Sequence, residues 1–184
     1  MKKKLLAAFA AFALIAPSAN AASDYLLELD GVKGESKDNA RPGTIEIQSF
    51  SWGVSNAGSM ASGSGGGAGK ASFSDLSFTT SVSKASPKLM MACATGQHIP
   101  KATLYVRKAG TTDEYLVITL TDIMVSSYSS SGRGTPNAPG STASSSVPME
   151  SISINFTKVE MRYTDADGTV TTGTAQLPPP VVPQ

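Results

Sequence analysis

Apolar and polar residues alternate along much of this chain, a pattern typical of strands with one buried face. Between residues 101 and 109, for example, Ala102, Leu104 and Val106 share one face, and Thr103, Tyr105 and Arg107 share the other. Similar patterns predict further strands over residues 24–30, 44–56, 71–82, 114–127, 149–164 and 169–176.

The apolar positions change parity within two of these predicted strands. In the strand over 44–56 the change lies near Gln48–Ser49, and in the strand over 149–164 it lies between Phe156 and Val159. One extra residue turns all the following side chains to the other face, so we expect a β-bulge at each position. In the strand over 71–82 we expect Val82 to share the buried face.

One segment, from about Pro87 to Thr95, has the signals of a helix. Ser86 is a good N-cap residue, Pro87 suits the first helical position, and Gly96 suits a left-handed end. The predicted buried stripe of this helix consists of Leu89, Met90 and Cys93.

These elements predict a mainly β fold. The predicted strands over 114–127 and 149–164 are long, and strands of that length coil unless the sheet is unusually flat. We therefore expect a small antiparallel β-barrel with one short side helix that covers an end or a side of the barrel.

The first 21 residues have the layout of a secretory signal peptide. A basic start with Lys2, Lys3 and Lys4 precedes an uncharged apolar run over 5–16 and an A-x-A site that ends at Ala21. Such a run is too short to span a bilayer, which takes about 20 residues. We expect cleavage between Ala21 and Ala22 and a secreted or periplasmic protein with no membrane association afterwards.

The domain organisation expected from this layout is simple. A signal peptide over 1–21 precedes one domain over 22–177, and a proline-rich tail over 178–184 follows it. Length alone supports one domain with a core and not two.

Charge and composition exclude several classes of function. The chain has 15 Lys and Arg against 14 Asp and Glu. Three of those lysines lie in the leader, so the remainder has 12 basic and 14 acidic residues and a net charge of −2. A nearly neutral domain is not drawn to nucleic acid. With one Cys and one His, the chain has no internal disulfide and too few ligands for a zinc site, and we expect no metal or cofactor.

The glycine-rich run over 63–70 invites comparison with a phosphate-binding loop. The Walker spacing fails, because Ser64 stands where the first Gly belongs and Ala71 replaces Ser or Thr. The segment that follows predicts a strand, so no helix N-terminus is available to hold a phosphate. We therefore do not predict nucleotide binding.

Other candidate chemistry is equally weak. Cys93 and His98 could form a nucleophile and its base, but a buried helical thiol beside an exposed histidine is favoured. Asp165 and Asp167 beside a glycine predict a β-turn and not a calcium loop. Trp52 could bind a ligand, although a core or subunit-contact role suits its place in a strand better. We therefore predict that the chain is not an enzyme.

Several segments taken together resemble the Hcp family, the haemolysin-coregulated tube proteins of type VI secretion systems. The resemblance runs from about Asp24 to Tyr163, and it is specific as a set although no single segment would be. The segments that carry it lie at 31–36 (GVKGES), 47–54 (IQSFSWGV), 65–70 (GGGAGK), 84–90 (KASPKLM), 98–100 (HIP), 106–110 (VRKAG) and 114–116 (EYL).

The resemblance implies how the protein works. Members of the family form hexameric rings that stack into a hollow tube expelled from a Gram-negative cell, and they carry effector proteins in the ring lumen. It implies no catalytic residue. The family's extended loop, which contacts the neighbouring ring, corresponds to residues 57–69 and their flank, and it contains Gly58, Ser59, Met60, Gly63, Gly65, Gly66, Gly67, Gly69 and Lys70.

The leader and a second Gly/Ser-rich segment over 129–148 support an alternative. In it, the chain is an exported binding module of the Hcp kind that acts outside a contractile tube and recognises a ligand through its loops.

Overall fold

The computed structural model describes residues 23–56, 70–132 and 147–177. These residues form nine strands and one helix. In chain order they are β1 (Ser23–Leu29), β2 (Ile45–Ser51), β3 (Val54–Asn56), β4 (Ala71–Phe73), β5 (Leu76–Ser81), α1 (Ser86–Thr95), β6 (His98–Lys108), β7 (Glu114–Ser131), β8 (Met149–Thr164) and β9 (Val170–Gln176).

Six of the strands form a closed antiparallel barrel in the order β5-β2-β1-β6-β7-β8. Pairing of β5 with β8, from Leu76↔Ile154 to Ser81↔Met149, closes it. The predicted mainly β fold, a small antiparallel barrel with one short helix, is confirmed.

The last strand, β9, lies outside this circle. Residues 149–154 of β8 pair with β5, whereas residues 158–164 of the same strand pair with β9. Residues 158–163 of β8 also pair with β7 on their other side, so β9 adds one more strand to the sheet beside the part of β8 that β5 does not reach.

The barrel interior is lined mainly by buried apolar side chains. Every strand of the barrel contributes to it, and burying one large apolar side chain contributes about 1.5–3 kcal/mol. The helix adds Leu89, which is fully buried. The most completely buried apolar side chains are Leu27, Ile45, Leu76, Phe78, Leu104, Ile118, Leu120, Ile123, Ile152 and Ile154.

Of the two predicted bulges, the one in β2 is confirmed. The register between β2 and β5 shifts between Ile47 and Ser49, where the parity change had indicated it. The extra residue reverses which side chains face the core. Ile47 before the bulge and Phe50 after it therefore both pack against the core.

The bulge predicted between Phe156 and Val159 is wrong. The register of β7 with β8 stays constant from Leu116↔Tyr163 to Val125↔Ile154, so no extra residue is inserted there. The register shift in this pair lies further along, between Val125 and Ser127.

A kink shared by three strands produces the parity change instead. The pairings skip Pro100 in β6, Asp122 in β7 and Thr157 in β8, which all lie at one level of the sheet. Asp122 has a φ of 49°, a left-handed conformation that L side chains rarely adopt. Because all three strands bend at the same level, the side chains beyond the kink point to the opposite face of the sheet. The pairing register between the strands does not change there.

The strands predicted over 44–56 and 71–82 are each divided in two. The first breaks at Trp52–Gly53 into β2 and β3, and the second breaks at Ser74–Asp75 into β4 and β5. The short strands β3 and β4 pair only with each other. Val82 lies beyond the end of β5 and is 40% exposed, so its predicted place in the core is wrong. Thr80 is the buried residue there, because its hydroxyl donates to the Glu46 carbonyl (2.7 Å).

The helix lies where it was predicted, but its first turn differs. Ala85 occupies the N-cap position with helical angles and no capping side chain, so the predicted Ser86 cap is wrong. Ser86 is instead the first helical residue, and its buried hydroxyl donates to Glu150 Oε2 (2.8 Å). Gly96, with a φ of 64°, ends the helix in the left-handed conformation as predicted.

The buried stripe of the helix also differs in one member. Leu89 and Ala92 are buried, Cys93 is half-buried against the core, and Met90 is 47% exposed. Met90 was therefore wrongly placed, because the helix contacts the barrel through a stripe too narrow to include it.

No helix among the described residues is long and apolar enough to cross a membrane.

Two strand boundaries extend further than the pattern indicated. β6 begins at His98 and includes Pro100, and β7 continues to Ser131. The predicted leader and tail lie outside the described residues.

Candidate functional site

The segment predicted to contact a neighbouring ring lies mostly outside the described residues. Of its members only Lys70 is described, and it is exposed. Gly58, Ser59, Met60, Gly63, Gly65, Gly66, Gly67 and Gly69 fall outside the described ranges, as do Ala21 and Ala22 of the expected cleavage site.

A short antiparallel ribbon carries this segment. β3 and β4 pair from Val54↔Phe73 to Asn56↔Ala71, so the chain between Asn56 and Lys70 starts and ends on adjacent strands. Val54 is 56% exposed on this ribbon. We call β3 and β4 together the β3–β4 ribbon.

The ribbon is anchored at its base by contacts with β7 and β8. Phe73 packs edge-on against the buried Phe156, with ring centroids 6.3 Å apart. Asp75, two residues after the end of β4, accepts hydrogen bonds from Ser126 Oγ and from Asn155 Nδ2 (2.8 Å). These contacts fix where the ribbon leaves the barrel.

A second feature is a charge cluster on the outer face of the barrel, beneath the loop that joins β1 to β2. The Arg107 side chain is 1% exposed. Its guanidinium donates to Asp38 Oδ2 (2.8 Å) and to Glu114 Oε1 (3.0 Å). Its Nε has no hydrogen-bond partner among the described residues. Arg41 donates to both oxygens of Glu114, at 2.9 and 3.0 Å.

An aromatic side chain completes the cluster. The Arg41 guanidinium carbon lies 3.8 Å from the centroid of the Tyr105 ring. The Tyr105 hydroxyl donates to Glu28 Oε2 (2.9 Å). Tyr105 also belongs to a small apolar cluster with Leu26 and Val117 on this outer face. The loop thus covers a second, smaller packed layer.

The pKa shifts reflect this arrangement. The Arg107 guanidinium hydrogen-bonded to Asp38 holds the pKa of that carboxyl below its usual value. Burial alone would raise the pKa of Glu114, but hydrogen bonds from Arg41 and Arg107 outweigh it and the pKa is lowered. Burial, together with the hydrogen bond to Glu28, raises the pKa of Tyr105. Both carboxylates are therefore charged at neutral pH.

A third polar contact joins the helix to the barrel. The buried Glu150 accepts from Ser86 Oγ (2.8 Å) and from the Tyr128 hydroxyl (2.5 Å). The hydrogen bond to Glu150 raises the pKa of Tyr128 to about 12. This carboxylate therefore holds the first turn of α1 against the barrel.

The residues considered for catalysis do not come together. Cys93 packs against the core, whereas the exposed His98 is paired through Nδ1 with Asp122 Oδ1 (2.7 Å). Asp165 and Asp167 accept hydrogen bonds from backbone N–H groups of their own turn. Within the described ranges, no group of three or more His, Cys, Asp or Glu side chains is arranged to hold a metal ion.

Sequence reasoning missed the charge cluster. Alternation placed Arg107 on the polar face of its strand, and nothing near it in sequence shows that a loop covers that face. Asp38 lies 69 residues away. The one available signal was the concentration of charged residues in a loop otherwise rich in turn formers, which predicts a partner but not its position.

Comparison with known proteins gives a consistent result. A family model described as "Type VI secretion system effector, Hcp" matches residues 26–163. Protein hcp1 of Pseudomonas aeruginosa is 42% identical over 144 residues, which cover 77% of this chain and 83% of that protein.

Solved structures agree with that result. Hcp1 from Salmonella typhimurium is 34% identical, with a TM-score of 0.69 over 85% of this chain and 95% of the other. A type VI secretion system effector from Yersinia pestis is 27% identical, with a TM-score of 0.67 over 84% of this chain and 100% of the other.

Proposed function

Because this chain belongs to the Hcp family of type VI secretion tube proteins, we propose that it forms hexameric rings that stack into a tube. The closed barrel supplies a rigid subunit. A nearly neutral barrel can present two different faces to identical neighbours. Such contacts form a closed ring when the rotation from each copy to the next brings the last copy back to the first.

The β3–β4 ribbon is the observation that supports stacking. In the antiparallel barrel, the end of β2 lies at the same end as the start of β1 and the β6–β7 and β8–β9 turns. The ribbon leaves from that end, anchored by Phe73 and Asp75, and carries residues 57–69. We propose that this segment contacts the next ring through Gly58, Ser59, Met60, Gly63, Gly65, Gly66, Gly67, Gly69 and Lys70.

Shortening the segment tests this role. Removing residues 58–68 while keeping β3 and β4 should leave single rings intact and abolish ring-on-ring tubes, measured by light scattering and by electron microscopy. A deletion of equal length within 133–146 is the matched control. If tubes persist after the first deletion, the assignment of this loop to stacking is wrong. If the barrel unfolds, the segment is part of the core.

We further propose that the ring carries effector proteins in its lumen and that the leader is removed between Ala21 and Ala22. The layout of the leader supports export to the periplasm or the medium. The N-terminal residue of the purified protein tests the cleavage, and its distribution in a strain without the contractile apparatus tests the export route. An intact Met1 on a cytoplasmic protein would contradict the leader.

The leader also supports the second candidate, an exported Hcp-like binding module that acts outside a contractile tube. The two functions differ in assembly. A mature protein that stays monomeric at high micromolar concentration, as sized by light scattering, would favour the binding module and count against the ring.

A further inference from the structure

The β3–β4 ribbon has a strand edge that no described strand covers. β4 pairs with β3 from Val54↔Phe73 to Asn56↔Ala71, and it pairs with no other strand in the described ranges. Its outer edge therefore presents backbone groups to a further partner. Proteins usually cover such an edge with a loop or protect it with charged residues or proline, and β4 (ASF) contains neither of the latter.

One hydrogen bond at the base of the ribbon shows which backbone groups lie at this edge. Ser74 N–H donates to the Gly53 carbonyl (2.9 Å), so these two residues form a hydrogen-bonded pair. Bonded and non-bonded pairs alternate along an antiparallel ladder, so Ser72 bonds to β3. Ala71 and Phe73 therefore direct their N–H and C=O groups away from β3, and neither N–H donates to a backbone carbonyl of the described residues. The edge thus has two donors that need acceptors.

A groove with an apolar base lies beside this edge. It is lined by residues 70–73 and Leu177, and its volume is about 380 Å³. Ala71, Phe73 and Leu177 are each only partly buried. Phe73 and Leu177 also pack against the barrel core. The groove therefore begins at the core and has apolar surface left for a further segment to cover.

The end of β9 leads the chain directly to this groove. Leu177 N–H donates to the Thr157 carbonyl (2.8 Å), which fixes its backbone beside β8. The preceding residue of β8, Phe156, packs against Phe73 at the base of the ribbon. The chain therefore leaves β9 at the base of the groove. Residues 178–184, which lie outside the described residues, follow immediately in the sequence.

The composition of residues 178–184 (PPPVVPQ) suits this groove. Four of these seven residues are prolines, which have no N–H to donate but whose carbonyls accept hydrogen bonds, as the donors at the β4 edge require. Val181 and Val182 add apolar side chains, and the segment has no charged side chain. Seven residues in the polyproline conformation span about 20 Å, roughly twice the length of a three-residue strand.

We infer that residues 178–184 lie along the outer edge of β4 of their own chain and hold the β3–β4 ribbon against β8. The prolyl carbonyls accept from the N–H groups of Ala71 and Phe73, and the valines cover the groove. The effect on the ribbon rests on the proposed function, because the ribbon carries the segment assigned to stacking. The docking itself does not depend on ring formation.

Amide hydrogen exchange tests the docking by comparing the full chain with a chain that ends at Leu177. We expect the amides of Ala71 and Phe73 to exchange about tenfold faster in the shorter chain, because water then reaches both N–H groups. The amide of Leu104, which has strands on both sides, should be equally protected in the two chains. Equal protection there shows that the shorter chain is folded.

Two double variants keep the length and the prolines of the segment. Val181→Asp with Val182→Asp places charges against the apolar groove, and it should expose the amides of Ala71 and Phe73 as much as the deletion does. The matched control, Val181→Ile with Val182→Ile, keeps both side chains apolar. It should leave the exchange rates within about twofold of those of the wild type.

The same chains test the effect on stacking. A docked segment holds the ribbon in one orientation before the next ring arrives, which lowers the entropy cost of the contact. We expect the chain that ends at Leu177 to form single rings as the wild type does. Tubes should require about a tenfold higher protein concentration, measured by light scattering and electron microscopy.

The outcomes separate this inference from the proposed function. Equal exchange of Ala71 and Phe73 with and without residues 178–184, or unchanged exchange in the aspartate variant, would overturn the docking. Protection that disappears on dilution would also overturn it, because the segment would then bind a second copy. Tubes that form equally well without the segment would overturn its effect on the ribbon. A wild-type protein that forms no tube would instead refute the proposed function, and the exchange experiment would still report on the docking.

Discussion

The two faces of β6 are both buried, but different forces bury them. On the inner face, Leu104 and its neighbours pack against apolar side chains from the rest of the barrel. On the outer face, Tyr105 and Arg107 lie beneath the loop between β1 and β2, held by ion pairs, a cation–π contact and a small apolar cluster. One strand thus belongs to a core of the usual kind and to a charged layer, and the second layer depends on partners distant in sequence.

A substitution on the inner face of β6 should cause the largest loss in the free energy of unfolding. Leu104 is 1% exposed, and Leu104→Ala should lower the free energy of unfolding by about 2–5 kcal/mol, because it removes buried methyl groups and leaves a cavity. Urea denaturation measures this. Val82→Ala is the control, since Val82 is 40% exposed and should cost no more than about 0.5 kcal/mol. Similar costs for both variants would contradict the described barrel interior.

Removing the charge of Arg107 from the outer face should lower the free energy of unfolding by less than that. Arg107→Met keeps much of the side-chain volume but leaves Asp38 and Glu114 without a buried partner. Removing one member of a fully buried pair costs about 3–5 kcal/mol. Because Asp38 is 28% exposed and Glu114 keeps Arg41, we expect about 2 kcal/mol here.

Arg41→Met is the matched control for that variant. Arg41 is 34% exposed, so water screens its ion pair and compensates for part of the loss. We expect a cost of no more than about 1 kcal/mol in the same urea experiment. An Arg107→Met cost at or below that of Arg41→Met would show that the outer layer is not held by its buried charge.

The contrast between the faces also explains what could be predicted from the sequence. Alternation identified the inner residues of β6, since side chains in a strand point to opposite faces whatever the rest of the fold does. The same alternation assigned Arg107 to a polar face, and it says nothing about whether a loop covers that face. The helix is similar. Gly96 could be predicted from local backbone chemistry, but the bond from Ser86 to Glu150 joins residues 64 apart.

The long loop and the last strand were predictable from the sequence to different degrees. Six glycines within 57–69 mark a long loop in the sequence, and the family resemblance implies the role proposed for it. The position of β9 outside the circle of barrel strands could not be predicted. It arises because β8 is long enough to pair first with β5 and then with β9, and strand pairing of that kind depends on how the barrel closes.

The smallest expected effect is the acid sensitivity of the outer layer, and its sign follows from the lowered pKa values of Asp38 and Glu114. A carboxyl group whose pKa is lower in the folded state binds protons more readily when unfolded. Its stabilisation is therefore fully present above the ordinary values of 3.8 and 4.5, and it is lost as the pH falls through the lower values of the folded state. The inner face contains no such groups.

A comparison of pH profiles measures this effect. We expect the wild type to lose about 1 kcal/mol more than the variant Asp38→Asn with Glu114→Gln between pH 6 and pH 3, since both carboxylates are partly screened by water. Leu104→Ala should instead follow the wild-type profile at a constant offset, because an apolar cavity does not titrate. If the stability of the double variant falls with acid as steeply as that of the wild type, groups other than Asp38 and Glu114 cause the acid sensitivity. The charged layer would then hold the loop by packing alone, as the inner face holds the barrel.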